Sequence, residues 1–264
     1  MNFTIFQIDA FTDKIFAGNP AAVIPVEDMP DATLMQNLAM ENNLAETAFI
    51  CPSKHTDADY DIRWFTPLVE IDLCGHATLA SAFVLFNFLG YSNAEIRFHC
   101  KSGILKASKE GDMIWMDFPS WVPAPFPDYP QELKEALGDV NILHVHKHRD
   151  LLVELENEVA VINCKPDFAL INKTGYKVII TAPGETTDFV SRFFAPAVGI
   201  DEDPATGSAH AQLIPFWAKR LGKDSMTSRQ LSQRGADFKC TLIGDRVKMG
   251  GNCVFYMKGE ISLK

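Results

Sequence analysis

The chain has 264 residues, 47% of them hydrophobic and 22% charged, so it is long enough to bury two ordinary hydrophobic cores. Its formal net charge of −10 argues against nucleic acid or an anionic membrane as a partner, because both need clustered Lys and Arg. No apolar run is as long as a membrane span, no signal-peptide pattern opens the chain, and the six cysteines form no C-x-x-C pair, so we expect a cytoplasmic protein.

The sequence repeats itself. Arg63-Trp64-Phe65-Thr66-Pro67 returns as Arg192-Phe193-Phe194-Ala195-Pro196, and Ala22-Val23-Ile24 returns as Ala160-Val161-Ile162. Gly75 opens a helical run that ends at Leu89-Gly90, and Gly207 opens one that ends at Leu221-Gly222, an offset of 132 in both cases (207 − 75 and 222 − 90). This period is far longer than that of a solenoid unit, so the pattern predicts a duplicated domain in which residues 20–118 superpose on 158–250.

The first half, residues 1–118, reads as strands around one long helix. The alternating pattern Phe3-x-Ile5-x-Gln7-x-Asp9 predicts a half-buried strand, and a short helix is expected from Asp31, its N-cap, to Ala39. Residues 75–89 are apolar on every side, which is typical of a buried central helix. The other strands are predicted at 21–26, 47–51, 62–66, 96–100, 103–108 and 113–118.

Five prolines within residues 119–130 predict a linker, because proline suits neither a helix interior nor a central strand. Residues 131–264 then repeat the order of the first half, with a short helix after Pro166 and a long one over 207–221. The predicted fold class is therefore α+β, with two pseudo-symmetric halves, each a curled, mostly antiparallel sheet around a central helix. A last strand near 254–256 has no counterpart in the repeat and could return to either half.

The openings of the two long helices carry polar residues at matching places: Asp72-Leu73-Cys74-Gly75-His76 and Asp203-Pro204-Ala205-Thr206-Gly207-Ser208. The first N–H groups of a helix lack intrahelical partners and suit a carboxylate. We therefore expect Gly75, Gly207 and Ser208 to hold a small anionic substrate in a cleft between the halves. Asp72 is expected only to cap its helix. Asp203 is expected to be functional, because Asp201-Glu202 already supplies acids for capping.

Glu46 is a second candidate acid. It lies among Ala45, Ala48 and Phe49 where the chain enters a strand, so we expect partial burial that favours its protonated form. The corresponding place in the second half has no acid, so the shared fold does not require one. Asn19 follows Gly18 in a turn-like segment, and its amide could serve the turn or a ligand.

Cys74 beside His76 leaves three interpretations open: a thiolate base, a zinc ligand or a small buried cysteine. No second Cys/His cluster at ligand spacing accompanies it, so no metal site is predicted. His144-x-His146-x-His148 could bind a metal, but a solvated strand face explains it as well. No G-x-G-x-x-G or P-loop motif occurs, so no cofactor is predicted.

Several segments along nearly the whole chain resemble the PhzF-like (phenazine biosynthesis-like) family, which has the diaminopimelate epimerase fold. The segments are Phe6-Gln7-Ile8-Asp9-Ala10-Phe11, Phe16-Ala17-Gly18-Asn19-Pro20, Leu44-Ala45-Glu46-Thr47, Leu73-Cys74-Gly75-His76-Ala77-Thr78 and Gly199-Ile200-Asp201-Glu202-Asp203-Pro204-Ala205-Thr206-Gly207-Ser208-Ala209.

The resemblance implies a cofactor-free isomerase that shifts a hydrogen on a dihydro-hydroxyanthranilate-like acid. It places the acid/base glutamate at Glu46, further polar active-site residues at His76, Asp203 and Ser208, and the backbone of Gly75 in the pocket. A homodimer is compatible with it. Racemases of the same fold use one Cys from each half, and here Ala205 stands where the second Cys would be. An amino- or hydroxy-acid racemase using Cys74, or a non-catalytic binding module, are the alternatives.

Overall fold

A computed structural model describes residues 1–263. By its internal contacts the chain divides into two compact units: residues 1–117 together with the chain from Gly250 onward, and residues 118–249. The elements of the first half are β1 (Asn2–Ala10), β2 (Asn19–Pro25), α1 (Ala32–Asn42), β3 (Glu46–Pro52), β4 (Tyr60–Phe65), β5 (Glu70–Ile71), α2 (Gly75–Phe88), β6 (Glu95–Cys100), β7 (Gly103–Glu110) and β8 (Met113–Pro119).

The remaining elements follow in chain order. They are β9 (Ala124–Pro125), α3 (Gln131–Leu137), β10 (Ile142–Lys147), β11 (Leu151–Leu155), α4 (Glu158–Asn163), α5 (Phe168–Lys173), β12 (Val178–Pro183), β13 (Phe189–Ala195), a 3₁₀ turn (Pro196–Val198), β14 (Ile200–Glu202), α6 (Gly207–Leu221), β15 (Ser225–Gln230), β16 (Ala236–Ile243), β17 (Arg246–Gly251) and β18 (Cys253–Ser262). Among residues 1–263, no helix is both long enough and apolar enough to cross a membrane.

Strand pairing follows the same order in the two units. In the first unit β2 is parallel to β3, β3 is antiparallel to β4, and β4 pairs antiparallel with β5 and parallel with β6. In the second unit β11, β12, β13, β14 and β15 pair with the same directions in the same order. The predicted α+β fold of two similar halves is confirmed, and two parallel pairings in each unit make its sheet mixed.

An arginine–glutamate pair is also duplicated, at the repeated segment that was recognised in the sequence. Arg63 on β4 forms two hydrogen bonds to Glu70 on β5, at 2.8 and 2.9 Å. Arg192 on β13 does the same with Glu202 on β14, at 2.7 and 2.9 Å. Such bidentate pairs fix direction as well as distance, so each one fastens a short edge strand to the sheet of its unit.

One of the sequence matches was wrong. Ala22-Val23-Ile24 lies in β2, whereas Ala160-Val161-Ile162 lies in α4. The side chain of Asn157 caps α4 by accepting a hydrogen bond from the N–H of Ala160, at 2.9 Å. The strand that corresponds to β2 by its pairing is β11, not this segment. A short apolar run fits a strand or a helix equally well, and here the cap decides.

The proline-rich segment 119–130, predicted as a linker, lies in the second unit and is bonded to it. The N–H of Trp121 donates to Ala211 O at 2.9 Å, and that of Phe126 donates to Val145 O at 2.8 Å. Proline lacks an N–H, but the residues between the prolines keep theirs and can still form such bonds. The last strand, β18, pairs antiparallel with β1 in the first unit.

Each long helix is buried in its own unit. In α2 nearly every residue from Gly75 to Leu85 is buried, and the helix contacts β1, β2, β3 and β7. In α6 the residues from Ala209 to Ala218 are buried, and the helix contacts β15 and β16. Because a helix apolar on all sides has no face suited to water, the burial of α2 follows from its composition, whereas α6 also carries polar and charged residues.

Replacing Asp31 by alanine should lower the free energy of unfolding by roughly 0.5–2 kcal/mol. As predicted, Asp31 is the N-cap of α1, and its Oδ1 accepts from the N–H of Leu34 at 3.0 Å. Urea unfolding of the wild type, Asp31→Ala and Asp31→Asn measures the effect. Asn keeps a capping oxygen, so equal losses in both variants would show that the cap does not contribute.

Candidate active site

The first unit contains a buried polar cluster around His76. Its Nε2 lies 2.9 Å from Oε2 of Glu46, although the two atoms are not aligned for a hydrogen bond. On the other side of the ring, Nδ1 lies 3.0 Å from Nδ2 of Asn19 and 3.6 Å from Sγ of Cys74. All four side chains are buried; Glu46 is 5% exposed and His76 is 2% exposed. The burial predicted for Glu46 from its apolar neighbours is confirmed.

Backbone geometry brings these residues together. Glu46 opens β3, where it is paired with Ala21 of the parallel strand β2, and Asn19 opens β2 itself. Gly18, just before Asn19, has φ of 65°, and a Cβ there would lie 2.2 Å from Ala10 O. Only glycine fits this place. The backbone conformation of Gly18 sets the direction in which Asn19 enters β2. Asn19 was predicted to shape a turn or touch a ligand; in the structure it contacts His76.

The environment of His76 favours its charged form. Burial opposes a charge on the imidazole, but the neighbouring Cys74 and Glu46 side chains outweigh it and raise the pKa of His76 well above 6.5. The side chain of Asn19 offers both an oxygen and an NH₂ group, so it can serve either protonation state of the ring. Glu46 therefore lies beside a ring whose surroundings favour its cationic form.

Cys74 is not an activated thiolate. Burial, and next the nearby Glu46 carboxyl, raise the pKa of its thiol to about 11. The sequence had left open a lowered pKa at this helix opening, and desolvation is the reason that this interpretation fails. One ligand atom from each of Glu46, Cys74 and His76 lies within 4.8 Å of the other two, so the trio could hold a metal ion. Such an ion would have to displace the thiol proton.

Asp203 lies in a second cluster, in the second unit, just before α6. Its Oδ2 accepts a hydrogen bond of 2.5 Å from the hydroxyl of Thr206, and the side chain is 8% exposed. Gln230 on β15 completes the cluster: its Oε1 accepts from the N–H of Thr206 at 2.8 Å, and its Nε2 donates to Asp203 O at 2.6 Å. Asp203 is thus held in place by the loop that precedes Gly207, the first residue of α6.

Ser208 contacts a residue, Arg149, that the sequence did not indicate as part of a site. Its Oγ accepts a hydrogen bond of 2.9 Å from the guanidinium of Arg149. That guanidinium is paired at 2.6 Å with Asp150, which is 2% exposed, and lies 4.8 Å from the ring of Trp121. Arg149 precedes Asp150 in the sequence, just after the histidine-rich segment. Nothing in that segment predicted that the side chain of Arg149 reaches the first turn of α6.

Gly75 opens α2 and is buried, and the N-cap of that helix is Cys74. Asp72 was expected to cap α2 but does not, since no side-chain cap bond is present there. It is exposed instead, with Oδ1 3.7 Å from Nζ of Lys101. Asp72 lies three residues before the first residue of the helix, and the N-cap position is taken by Cys74.

The histidines at 144 and 146 on β10 and at 148 just after it have different neighbours. His144 Nδ1 lies 2.9 Å from Oε2 of Glu154, His146 packs edge-on against Phe216, and His148 stacks on Trp121. Burial lowers the pKa of His146. Among residues 1–263, the groups of three ligand side chains close enough to share a metal are Glu46–Cys74–His76 and His55–Asp61–His99; His144, His146 and His148 do not form one.

Comparison with known proteins shows the family to which the chain belongs. A family model described as phenazine biosynthesis-like protein (PhzC-PhzF) matches residues 8–259. The chain is 46% identical over 264 residues to an uncharacterized isomerase of Pseudomonas aeruginosa, and the match covers 100% of both chains.

Two solved structures extend the comparison. A PhzF family protein of Enterococcus faecalis is 43% identical, with a TM-score of 0.94 and 100% of each chain covered. A predicted epimerase of Pseudomonas aeruginosa, 20% identical over 99% of this chain and 100% of its own, has the same fold at a TM-score of 0.74. The chain therefore belongs to the phenazine biosynthesis-like (PhzF-like) family and is an enzyme of the isomerase class.

Proposed function

We propose that this isomerase moves a proton on a small, cyclic carboxylic acid without a cofactor. The observation that carries the proposal is the buried Glu46–His76 pair, with 2.9 Å between carboxylate and imidazole. A carboxyl group can take a proton from one carbon and return it to another if it is shielded from water and held in place. No redox change occurs in such a shift: the C–H bond that breaks is replaced by one that forms elsewhere on the same molecule.

Each member of the two clusters has a part in this proposal. Glu46 accepts and returns the proton, while the imidazole of His76 stabilises the carboxylate or donates to the substrate. Asp203 holds a polar group of the substrate, with Thr206 fixing its carboxyl at 2.5 Å. The backbone N–H groups at Gly75 and Gly207, and the hydroxyl of Ser208, bind the substrate carboxylate. We add Arg149 to this set because its guanidinium reaches Ser208.

Solvent deuterium exchange tests the reaction class. The purified protein would be incubated in D₂O with a panel of cyclic and amino acids, and each acid would be examined by NMR for deuterium and for its position. An isomerase of the proposed kind places deuterium at a carbon other than the one that lost hydrogen. A racemase labels a stereocentre, and a binding module labels nothing in any compound.

The racemase alternative would use Cys74 as a base. The raised pKa of Cys74 and the presence of Ala205 in place of a second cysteine speak against it.

Metal independence is part of the proposal as well. Metal analysis of the purified protein tests it, and stoichiometric zinc that disappears in Cys74→Ala would contradict it. Cytoplasmic location and a homodimer remain predictions, for cell fractionation and for light scattering after gel filtration.

Replacing Ser208 by alanine should weaken the binding of an anionic ligand by about 0.5–1.5 kcal/mol, or up to ~3 kcal/mol if the bonded group is charged. The hydroxyl both adds a donor and accepts the hydrogen bond from Arg149 that helps to orient the guanidinium. Calorimetric titration with a carboxylic acid found in the exchange screen measures the change. Ser225→Ala, an exposed serine at the start of β15, is the control. Equal affinities of all three proteins would remove Ser208 from the site.

A further inference from the structure

A second group of metal-binding side chains lies on the surface of the first unit. His55, Asp61 and His99 each offer one ligand atom, and these atoms all lie within 4.8 Å of one another. The two imidazole rings are 3.9 Å apart between centroids, and Nδ1 of His99 lies 3.4 Å from Oδ1 of Asp61. This group shares no residue with the Glu46–His76 cluster.

The backbone fixes two of the three ligands. Asp61 on β4 and His99 on β6 are register partners in a parallel pair of strands. Partners on adjacent strands are about 4.8 Å apart in the hydrogen-bonding direction, which suits two ligands of one ion. The pair belongs to the central sheet of its unit, so its position does not depend on a surface loop.

The third ligand comes from the turn between β3 and β4, and this turn is held in place. The N–H of His55 donates to Oγ of Ser53 at 3.1 Å, and the Ser53 hydroxyl donates to Oδ1 of Asp61 at 2.6 Å. The N–H of Ser53 in turn donates to Asp59 O at 3.0 Å. A hydroxyl bonded to a ligating carboxylate is the kind of outer contact that orients a metal ligand.

The chemistry of the three side chains suits a transition-metal ion. A surface pair of His99 and Asp61 does not require a second imidazole, that of His55, stacked on the ring of His99. Imidazole is the commonest metal ligand in proteins, and either ring nitrogen can bind an ion. Two imidazoles and one carboxylate form a donor set that zinc and its neighbours accept, with water in the open position. The side chains of His99 and Asp61 are 39% and 27% exposed, so an ion can enter.

We propose that His55, Asp61 and His99 bind one divalent ion of the zinc type, which fastens the 53–59 turn to β4 and β6. The site is independent of catalysis, and its failure would leave the proposed isomerase untouched. Tag-free protein stripped with a chelator should bind one equivalent of Zn²⁺ in calorimetric titration. Co²⁺ should give visible absorption bands of a nitrogen- and oxygen-ligated site, and Zn²⁺ should remove them.

Substitutions at Ser53, His55 and His99 should lower the Zn²⁺ affinity by different amounts. Ser53→Ala removes an outer contact and should lower Zn²⁺ affinity by roughly 10–100-fold, and His55→Gln or His99→Gln, which remove ligands, should lower it further. His144→Gln is the matched control, because His144 also forms a 2.9 Å pair with a glutamate but belongs to no group of three. Cys74→Ala controls for the buried trio and should keep the full affinity of the wild type.

Three results would overturn the proposal. The first is wild-type protein that binds no Zn²⁺ in the micromolar range. The second is full affinity in both His55→Gln and His99→Gln, and the third is loss of the ion in Cys74→Ala, which would assign it to the buried trio. If one histidine variant does not fold, as judged by circular dichroism, the other and Ser53→Ala still decide.

Discussion

Glu46→Gln should lower turnover by roughly 10²–10⁴-fold while leaving ligand affinity largely intact. Glutamine keeps the shape of the side chain and its place beside His76, but it cannot take up and release the proton. The carboxyl is 5% exposed, so water cannot readily replace it as a base. The measurement is the rate of deuterium incorporation into a substrate found by the exchange screen, together with calorimetric affinity for the same compound.

Two further variants make the result specific to Glu46. Glu41→Gln changes an exposed glutamate at the end of α1 and should leave the rate unchanged. Cys74→Ala should cost far less than Glu46→Gln, because the thiol is protonated at neutral pH and its raised pKa makes it a poor base. If Cys74→Ala abolished exchange and Glu46→Gln retained it, the roles of the two side chains would be reversed and the racemase mechanism would replace the proton shift.

Acid should destabilise the second unit through His210, by about 2 kcal/mol at pH 5 and about 3 kcal/mol at pH 4 relative to pH 7. His210 on α6 is 0% exposed and stacks on Phe238 at 3.7 Å, and burial lowers its pKa from 6.5 to about 4. Its ring bonds Thr206 O through Nδ1 and Ser228 Oγ through Nε2, each at 2.9 Å. Because Nδ1 donates to the carbonyl, Nε2 of the neutral ring accepts from the Ser228 hydroxyl.

The sign follows from where each state binds the proton. Above pH 6.5 neither the folded nor the unfolded histidine is charged, and the contribution of His210 is complete. As the pH falls from 6.5 towards 4, the unfolded chain takes up a proton that the folded chain does not, so the free energy of unfolding decreases. Below about pH 4 both states bind the proton, and the loss levels off.

Urea unfolding at a series of pH values measures this effect as the slope of the free energy of unfolding against pH. His210→Gln should be less stable than the wild type at pH 7, and the difference should shrink by about 2 kcal/mol at pH 5 because the variant lacks the titrating group. Leu213→Ala, a cavity in the same helix with no change in titratable groups, should be less stable by a constant amount. A slope in His210→Gln equal to that of the wild type would exclude His210 as the cause.

The sequence by itself determined the fold class and most elements, and it singled out Glu46 as the candidate acid. The first long helix was recognisable because an all-round apolar run can only be buried, and the second because it repeats the first at an offset of 132. The cap at Asp31 was recognisable because its chemistry is local. Glu46 stood out because an acid among apolar residues in only one half of a duplicated chain is not needed by the fold. The repeat failed at Ala160–Ile162, where three apolar residues fit a strand or a helix and the nearby Asn157 made a helix.

Only the tertiary structure decided which side chains meet and in which protonation state. Asn19, Glu46 and His76 are far apart in sequence, and the parallel pairing of β2 with β3 beneath the start of α2 brings them together. The pKa of Cys74 rises because folding removes its water, which no sequence pattern records. The reach of Arg149 to Ser208 and the pairing of Asp61 with His99 likewise depend on strand register and side-chain direction. Local chemistry is encoded in neighbouring residues, whereas desolvation and long-range contact exist only once the chain has folded.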